Sequence, residues 1–157
     1  MAETILVIDD EPSMLCFLEQ RLASEGFTVS TAGSGLDGIK RATDLYPDLI
    51  LLDLRMPVPD GWEVCKMLRA NPKTQYIPII AVTGVLLPDH LGRAMASGAD
   101  DFAFKPIDMN DILIRVRAML DCRGIHDPVE RRTRYMEIAR EMSAESARAH
   151  PPAASSG

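Results

Sequence analysis

Ile5-Leu6-Val7-Ile8-Asp9-Asp10-Glu11-Pro12 runs from an unbroken apolar segment into three acids and a proline. A strand with one face in water alternates apolar and polar residues, whereas a strand covered by helices on both faces is apolar throughout. The segment therefore predicts an internal strand of a parallel sheet. Pro12 has no N–H to leave unpaired and opens a helix, in which Met14, Leu15, Phe17, Leu18 and Leu22 recur at three- and four-residue steps before Gly26, a C-terminal cap.

The alternation then repeats. Thr28–Ala32, Leu49–Asp53, Ile79–Thr83 and Asp101–Phe104 read as further strands, separated by helical stretches over 35–46, 61–69 and 89–97. In the first of these Leu36, Ile39, Lys40 and Thr43 set the pattern and Pro47 marks the stop. A last helix over 109–122 carries Ile112, Leu113, Val116, Met119 and Leu120 on one stripe, with Arg115 and Arg117 outward. Residues 1–122 thus form one α/β domain. Composition changes after Gly124: residues 123–157 are expected as a helical appendage or linker with a disordered tail. Its helix, over 129–147, has a thin stripe of Val129, Met136 and Ala139 interrupted by Arg132, which predicts a solvated appendage in place of a dimerising helix, and 151–157 reads as disordered.

Composition excludes several classes. The chain has 157 residues, 46% apolar and 25% charged, with 17 basic against 23 acidic side chains and a net charge of −6. That balance argues against a nucleic-acid footprint over the whole domain. No apolar run approaches the roughly 20 residues of a membrane helix, and the N-terminus lacks the basic start of a signal peptide, so a cytoplasmic protein without a membrane partner is expected. Cys16, Cys65 and Cys122 are widely spaced and read as core thiols, and His90, His126 and His150 as surface histidines. No helix-turn-helix, Gly-rich nucleotide loop or second core is evident.

The polar residues that end the strands are more specific. Asp9 and Asp10 follow the first, Asp53 ends the third, Thr83 ends the fourth and Lys105 follows the fifth. In an open parallel sheet the carboxyl edge is where sites assemble. Singly, the ordinary reading of each is the stronger one, Asp9 and Asp10 as helix caps, Asp53 as the start of a turn, Thr83 as a strand end and Lys105 as an exposed lysine; jointly, in strand order, they point to one crevice. Crowded carboxylates repel by roughly 4 kcal/mol per pair at about 4 Å in a medium of intermediate dielectric, so a cation belongs among them. Oxygen-only ligands open to water suit Mg²⁺, and zinc has no ligand set. Carboxylates, Mg²⁺, a lysine and a hydroxyl suit phosphoryl transfer, with Asp53 as the nucleophile.

Ile5-Leu-Val-Ile-Asp-Asp, Asp53-Leu-Arg-Met-Pro with Asp60-Gly, Thr83-Gly, Gly98-Ala-Asp-Asp-Phe and Lys105-Pro together resemble the receiver domain of two-component response regulators, over roughly residues 4–122. The resemblance implies a flavodoxin-like, doubly wound (βα)5 sheet of order 2-1-3-4-5 with a C-terminal helical extension. It implies that Asp53 accepts a phosphoryl group from a histidine kinase or histidine phosphotransfer protein in a phosphorelay. Asp10, Asp53 and the Arg55 carbonyl would ligate Mg²⁺, Asp9 would act through a bound water, and Lys105 and Thr83 would engage the phosphoryl group. Phe102 falls at the switch-aromatic position, where ordinary core is an equal reading. Output would be a change in the surface of 89–97, 101–104 and 109–122, controlling an unidentified downstream protein, with a homodimer left open. The chain would be a self-phosphorylating switch and not a multiple-turnover enzyme.

Three other readings stand beside this one. A truncated N-terminal receiver of a larger effector, such as a diguanylate cyclase or hybrid kinase, fits the same residues, as does a phosphorylation-independent interaction module. A phosphatase of the haloacid dehalogenase type places a second aspartate two positions after its nucleophile, where this chain has Arg55. Within the motif itself, Pro59 stiffens the loop beside the acceptor and Gly84 leaves room for the phosphoryl group.

Overall fold

A computed structural model describes residues 2–84, 92–93 and 96–149. Its five strands are β1 (Thr4–Ile8), β2 (Thr28–Ala32), β3 (Leu49–Asp53), β4 (Ile79–Thr83) and β5 (Asp101–Phe104). They form one parallel sheet of order β2-β1-β3-β4-β5. The described helices are α1 (Pro12–Ser24), α2 (Gly35–Leu45), α3 (Gly61–Ala70), α4 (Met109–Leu120) and α5 (Pro128–Ala149). The doubly wound, flavodoxin-like architecture expected from the sequence is the one found. The helix expected over 89–97 falls largely outside the described residues, of which 92, 93, 96 and 97 are helical, as do His90, His150 and the tail 151–157.

Strand periodicity distributes the core between two faces. Ile5, Val7, Leu49, Leu51, Ile80 and Val82 point to the side covered by α1 and α4. Leu6, Ile8, Ile50, Leu52, Ile79 and Ala81 point to the side covered by α2 and α3. β3 and β4 are buried at every position, which is why neither alternates in sequence. Helix starts follow local chemistry: Ser34 Oγ accepts the Asp37 N–H at 3.2 Å, Asp60 Oδ1 accepts the Glu63 N–H at 3.0 Å, and Asp108 Oδ1 accepts the N–H groups of Asn110 and Asp111. Gly26, just beyond α1, takes φ +95°, a region that favours glycine.

Three expectations are corrected. In α2, Leu36 is 64% exposed and Lys40 lies in solvent; the buried face is Gly35, Gly38 and Ala42. Small residues are needed there, because a Cβ on Gly38 would come within 2.5 Å of Ile8 Cδ1. Among the cysteines, Cys65 and Cys122 are buried but Cys16 is exposed. The third correction concerns α5. Val129 and Met136 of the expected stripe are exposed and only Ala139 of it packs against the core; the helix buries Tyr135 and Ile138 against the α1 and α4 side and Arg131 beside Asp100. It is docked, not solvated. Arg131, which is not part of the expected stripe, has a side chain only 4% exposed and paired with Asp100.

Candidate functional site

The carboxyl edge of the sheet gathers the predicted residues. Asp53 is the last residue of β3 and Thr83 of β4; Asp9 and Lys105 directly follow β1 and β5. Because β1 and β4 flank β3, parallel register alone brings these strand ends side by side. Asp9, Asp53 and Thr83 are buried, whereas Asp10 is exposed.

The three carboxylates each offer an oxygen, and those oxygens lie within 4.8 Å of one another. Lys105 Nζ stands 3.4 Å from Asp9 Oδ2 and 3.6 Å from Asp53 Oδ2, bridging the two buried acids. Backbone groups fix their orientation: the Glu11 N–H donates to Asp9 Oδ1 at 2.9 Å and the Arg55 N–H to Asp53 Oδ1 at 3.2 Å. The Lys105 N–H in turn donates to the Thr83 carbonyl at 2.9 Å, which sets the lysine beside the end of β4.

Electrostatics follow from this crowding. Burial, and then the nearby Asp9 charge, raise the Asp53 carboxyl from 3.8 to about 6, against the opposing pull of Lys105 and the Arg55 N–H. Burial works against the Lys105 ammonium, but Asp53 and Asp9 outweigh it and hold its pKa above the ordinary lysine value. The site thus carries more negative charge than its one lysine neutralises. An all-oxygen donor set with surplus charge and one solvent-facing carboxylate fits a hard divalent cation.

Several predicted residues take more peripheral places. The Arg55 side chain is exposed, and Phe102 is half-buried against the α2 and α3 side of the core. Two contributors escaped the sequence reading. Gly61 packs beneath the acceptor, where a Cβ would stand 2.3 Å from the Asp53 carbonyl oxygen; the only sequence signal is the Asp60-Gly pair. The Glu11 N–H closes a turn on Asp9, for which an aspartate three residues before a helix start is the local cue. Beside the site, Arg93 lies 4.5 Å over the Trp62 ring and 3.9 Å from Asp60, tying the described part of 92–97 to the start of α3.

Comparison with known proteins adds a family. Residues 5–117 match the response regulator receiver domain. The DNA-binding dual master transcriptional regulator RpaA of Synechocystis is 40% identical over 116 residues, 74% of this chain and 48% of its own length. Response regulator PleD of Caulobacter vibrioides is 36% identical over 132 residues, 84% of this chain and 29% of its own. The chain therefore spans less than half the length of these curated relatives. Among solved structures, a CheY-like receiver domain protein from Methanospirillum hungatei superposes with a TM-score of 0.74 at 25% identity, covering 79% of this chain and 98% of that one. The Vibrio cholerae chemotaxis protein CheY4 gives 0.72 at 26% identity, covering 74% and 98%.

Proposed function

Since the chain belongs to the response regulator receiver domain family of two-component signalling, we propose that it is a phosphorylatable switch in which Asp53 takes a phosphoryl group from the phosphohistidine of a histidine kinase or phosphotransfer protein. The observation that carries this reading is Lys105 Nζ set between the buried carboxylates of Asp9 and Asp53. An Asp53 oxygen forms the new O–P bond while the N–P bond breaks and the imidazole departs with the electron pair. Lys105 would engage the transferred oxygens, and so would the Thr83 hydroxyl, from the neighbouring strand end.

Asp10, Asp53 and the Arg55 carbonyl would hold Mg²⁺, with Asp9 acting through water. When bound, the ion supplies charge neutralisation at the phosphoryl oxygens. The residues themselves supply position: the Arg55 and Glu11 N–H groups fix the two buried acids before any donor arrives. One phosphoryl group is taken up per cycle, so the chain acts as a switch and not as a multiple-turnover catalyst. Its place is the cytoplasm; among the described residues no helix is long and apolar enough to cross a membrane. The output is a protein surface, formed around β5 and α4.

Intact-protein mass after incubation with acetyl phosphate tests this reading. A single Mg²⁺-dependent phosphoryl adduct is expected on the native chain and none on Asp53→Asn. An adduct that persists in Asp53→Asn, or none on the native chain with either acetyl phosphate or a phosphorylated kinase, overturns it.

A further inference from the structure

The amino ends of β4 and β5, at the edge opposite the acid site, border a cleft of about 570 Å³, inside the range of roughly 300–1,000 Å³ for small-molecule sites. Arg69, Asp100 and Arg131 line it as one bonded assembly. Asp100 Oδ2 accepts from Arg69 Nη2 at 2.8 Å and from the Ile79 N–H at 2.9 Å, while its Oδ1 accepts from Arg131 Nη1 at 3.2 Å. Arg69 also donates to the carbonyls of Gly98, Gln75 and Ile77, and Arg131 to those of Tyr76 and Ile125. Both guanidiniums are thus fixed before any ligand arrives, which leaves little side-chain freedom to lose on binding.

Charge and ring geometry together select a ligand. Arg69, Arg131 and Arg132 line the cleft against Asp100 and Asp127, a local positive surplus in a chain whose net charge is −6. Asp127 is already engaged, its Oδ1 accepting the Glu130 N–H at 2.9 Å at the start of α5. Arg69 and Arg131 share the Asp100 carboxylate, and the acceptors named above leave N–H capacity on both among the described residues. Burial, against the pull of Asp100, lowers the Arg69 pKa, as for a cation short of negative charge. A phosphate group supplies that charge, with oxygens spaced for guanidinium N–H groups. The second element is aromatic. Tyr76 and His126, which also line the cleft, stack with ring centroids 3.9 Å apart and planes 6° from parallel. Tyr76 is 45% exposed, so the pair keeps a flat face on which a nucleobase can lie; an inorganic ion would make no use of it.

We propose that this cleft binds a nucleoside monophosphate, its phosphate paired with the arginines and its base laid on the Tyr76 and His126 rings. One phosphate matches the small charge surplus, where a triphosphate would exceed it. The site is distinct from the phosphoacceptor: Asp9, Asp10, Asp53, Thr83 and Lys105 take no part in the cleft. The ligand would touch the segment before β4, the turn before β5 and the start of α5 at once, so it would hold α5 more firmly to the domain.

Calorimetric titration of the full chain tests the proposal, in metal-free buffer so that no cation recruits phosphate to the acid site. The titrants are the adenosine, guanosine, cytidine and uridine 5′-monophosphates, with inorganic phosphate and adenosine as the separate halves. At least one nucleotide is expected to bind one to one and about tenfold more tightly than either half. Tyr76→Ala keeps the backbone carbonyl that holds Arg131, and should weaken the nucleotide about tenfold while leaving phosphate unchanged. Arg132→Gln, at an exposed position, should weaken nucleotide and phosphate alike, by about fivefold. Asp53→Asn should bind as the native chain does. The proposal is overturned if none of the four nucleotides binds more tightly than phosphate, if both cleft variants bind the nucleotide as the native chain does, or if Asp53→Asn abolishes binding. None of these results bears on the phosphoryl adduct at Asp53, which the mass measurement above decides.

Discussion

Asp100→Asn perturbs one carboxylate on which two buried guanidiniums depend. The Arg69 and Arg131 side chains are 20% and 4% exposed, and that of Asp100 is 13% exposed. Removing one partner of a buried pair costs about 3–5 kcal/mol, mostly because the remaining charge stays out of water. Asparagine keeps an acceptor for the Ile79 N–H, and Arg131 can escape by undocking α5, which limits its share. Arg69 cannot escape, being held by the carbonyls of Gly98, Gln75 and Ile77. The expected loss is therefore at the lower end, about 3 kcal/mol, or roughly 6–12 °C in Tm for a chain of this size. Thermal and urea unfolding followed by circular dichroism measure it. Adding Arg131→Met, which keeps the aliphatic stem and removes the charge, should recover about 1 kcal/mol. A loss below about 1 kcal/mol at unchanged m, or no recovery in the double variant, would refute the argument that Asp100 is the counter-charge for both arginines.

Other perturbations separate the site from the scaffold. Asp53 has its folded pKa raised from 3.8 to about 6, so its protonated form favours folding and that stability is lost as pH rises from about 4 through 6. In metal-free buffer Asp53→Asn should match the native chain near pH 4 and exceed it by up to about 3 kcal/mol at pH 7.5, as denaturant titrations at several pH values will report. Adding Mg²⁺ should then raise the Tm of the native chain and leave that of Asp53→Asn nearly unchanged. Gly61→Ala, whose Cβ would meet the Asp53 carbonyl at 2.3 Å, should cost about 1–3 kcal/mol and slow adduct formation from acetyl phosphate. Ile138→Ala, at a position 8% exposed, should cost about 2 kcal/mol by urea unfolding; a solvated α5 would show no loss.

The sequence made the sheet legible because β1, β3 and β4 are apolar without interruption, and burial on both faces leaves no other pattern. The acid site was legible for a related reason: in a parallel sheet, residues at strand ends become neighbours by topology, so order in the chain predicts proximity in space. α2 was misread because its inner face is made of glycines and an alanine, which hydropathy does not mark as buried, while Leu36 faces solvent. α5 was misread because an arginine supplies part of its docking face, and the carboxylate that makes this tolerable lies 31 residues earlier. Pairing across such a separation has no local signal.

The site draws on β1, β3, β4 and β5, and none of these strands pairs in parallel with its neighbour until the connection between them has closed. In a nascent or partly unfolded chain Asp53 therefore stands apart from Asp9 and Asp10 and has no lysine beside it. On the proposed reading such a chain would not be charged by a phosphodonor, so signal and structural integrity would be read together: a phosphorylated molecule would be one that has already completed its sheet.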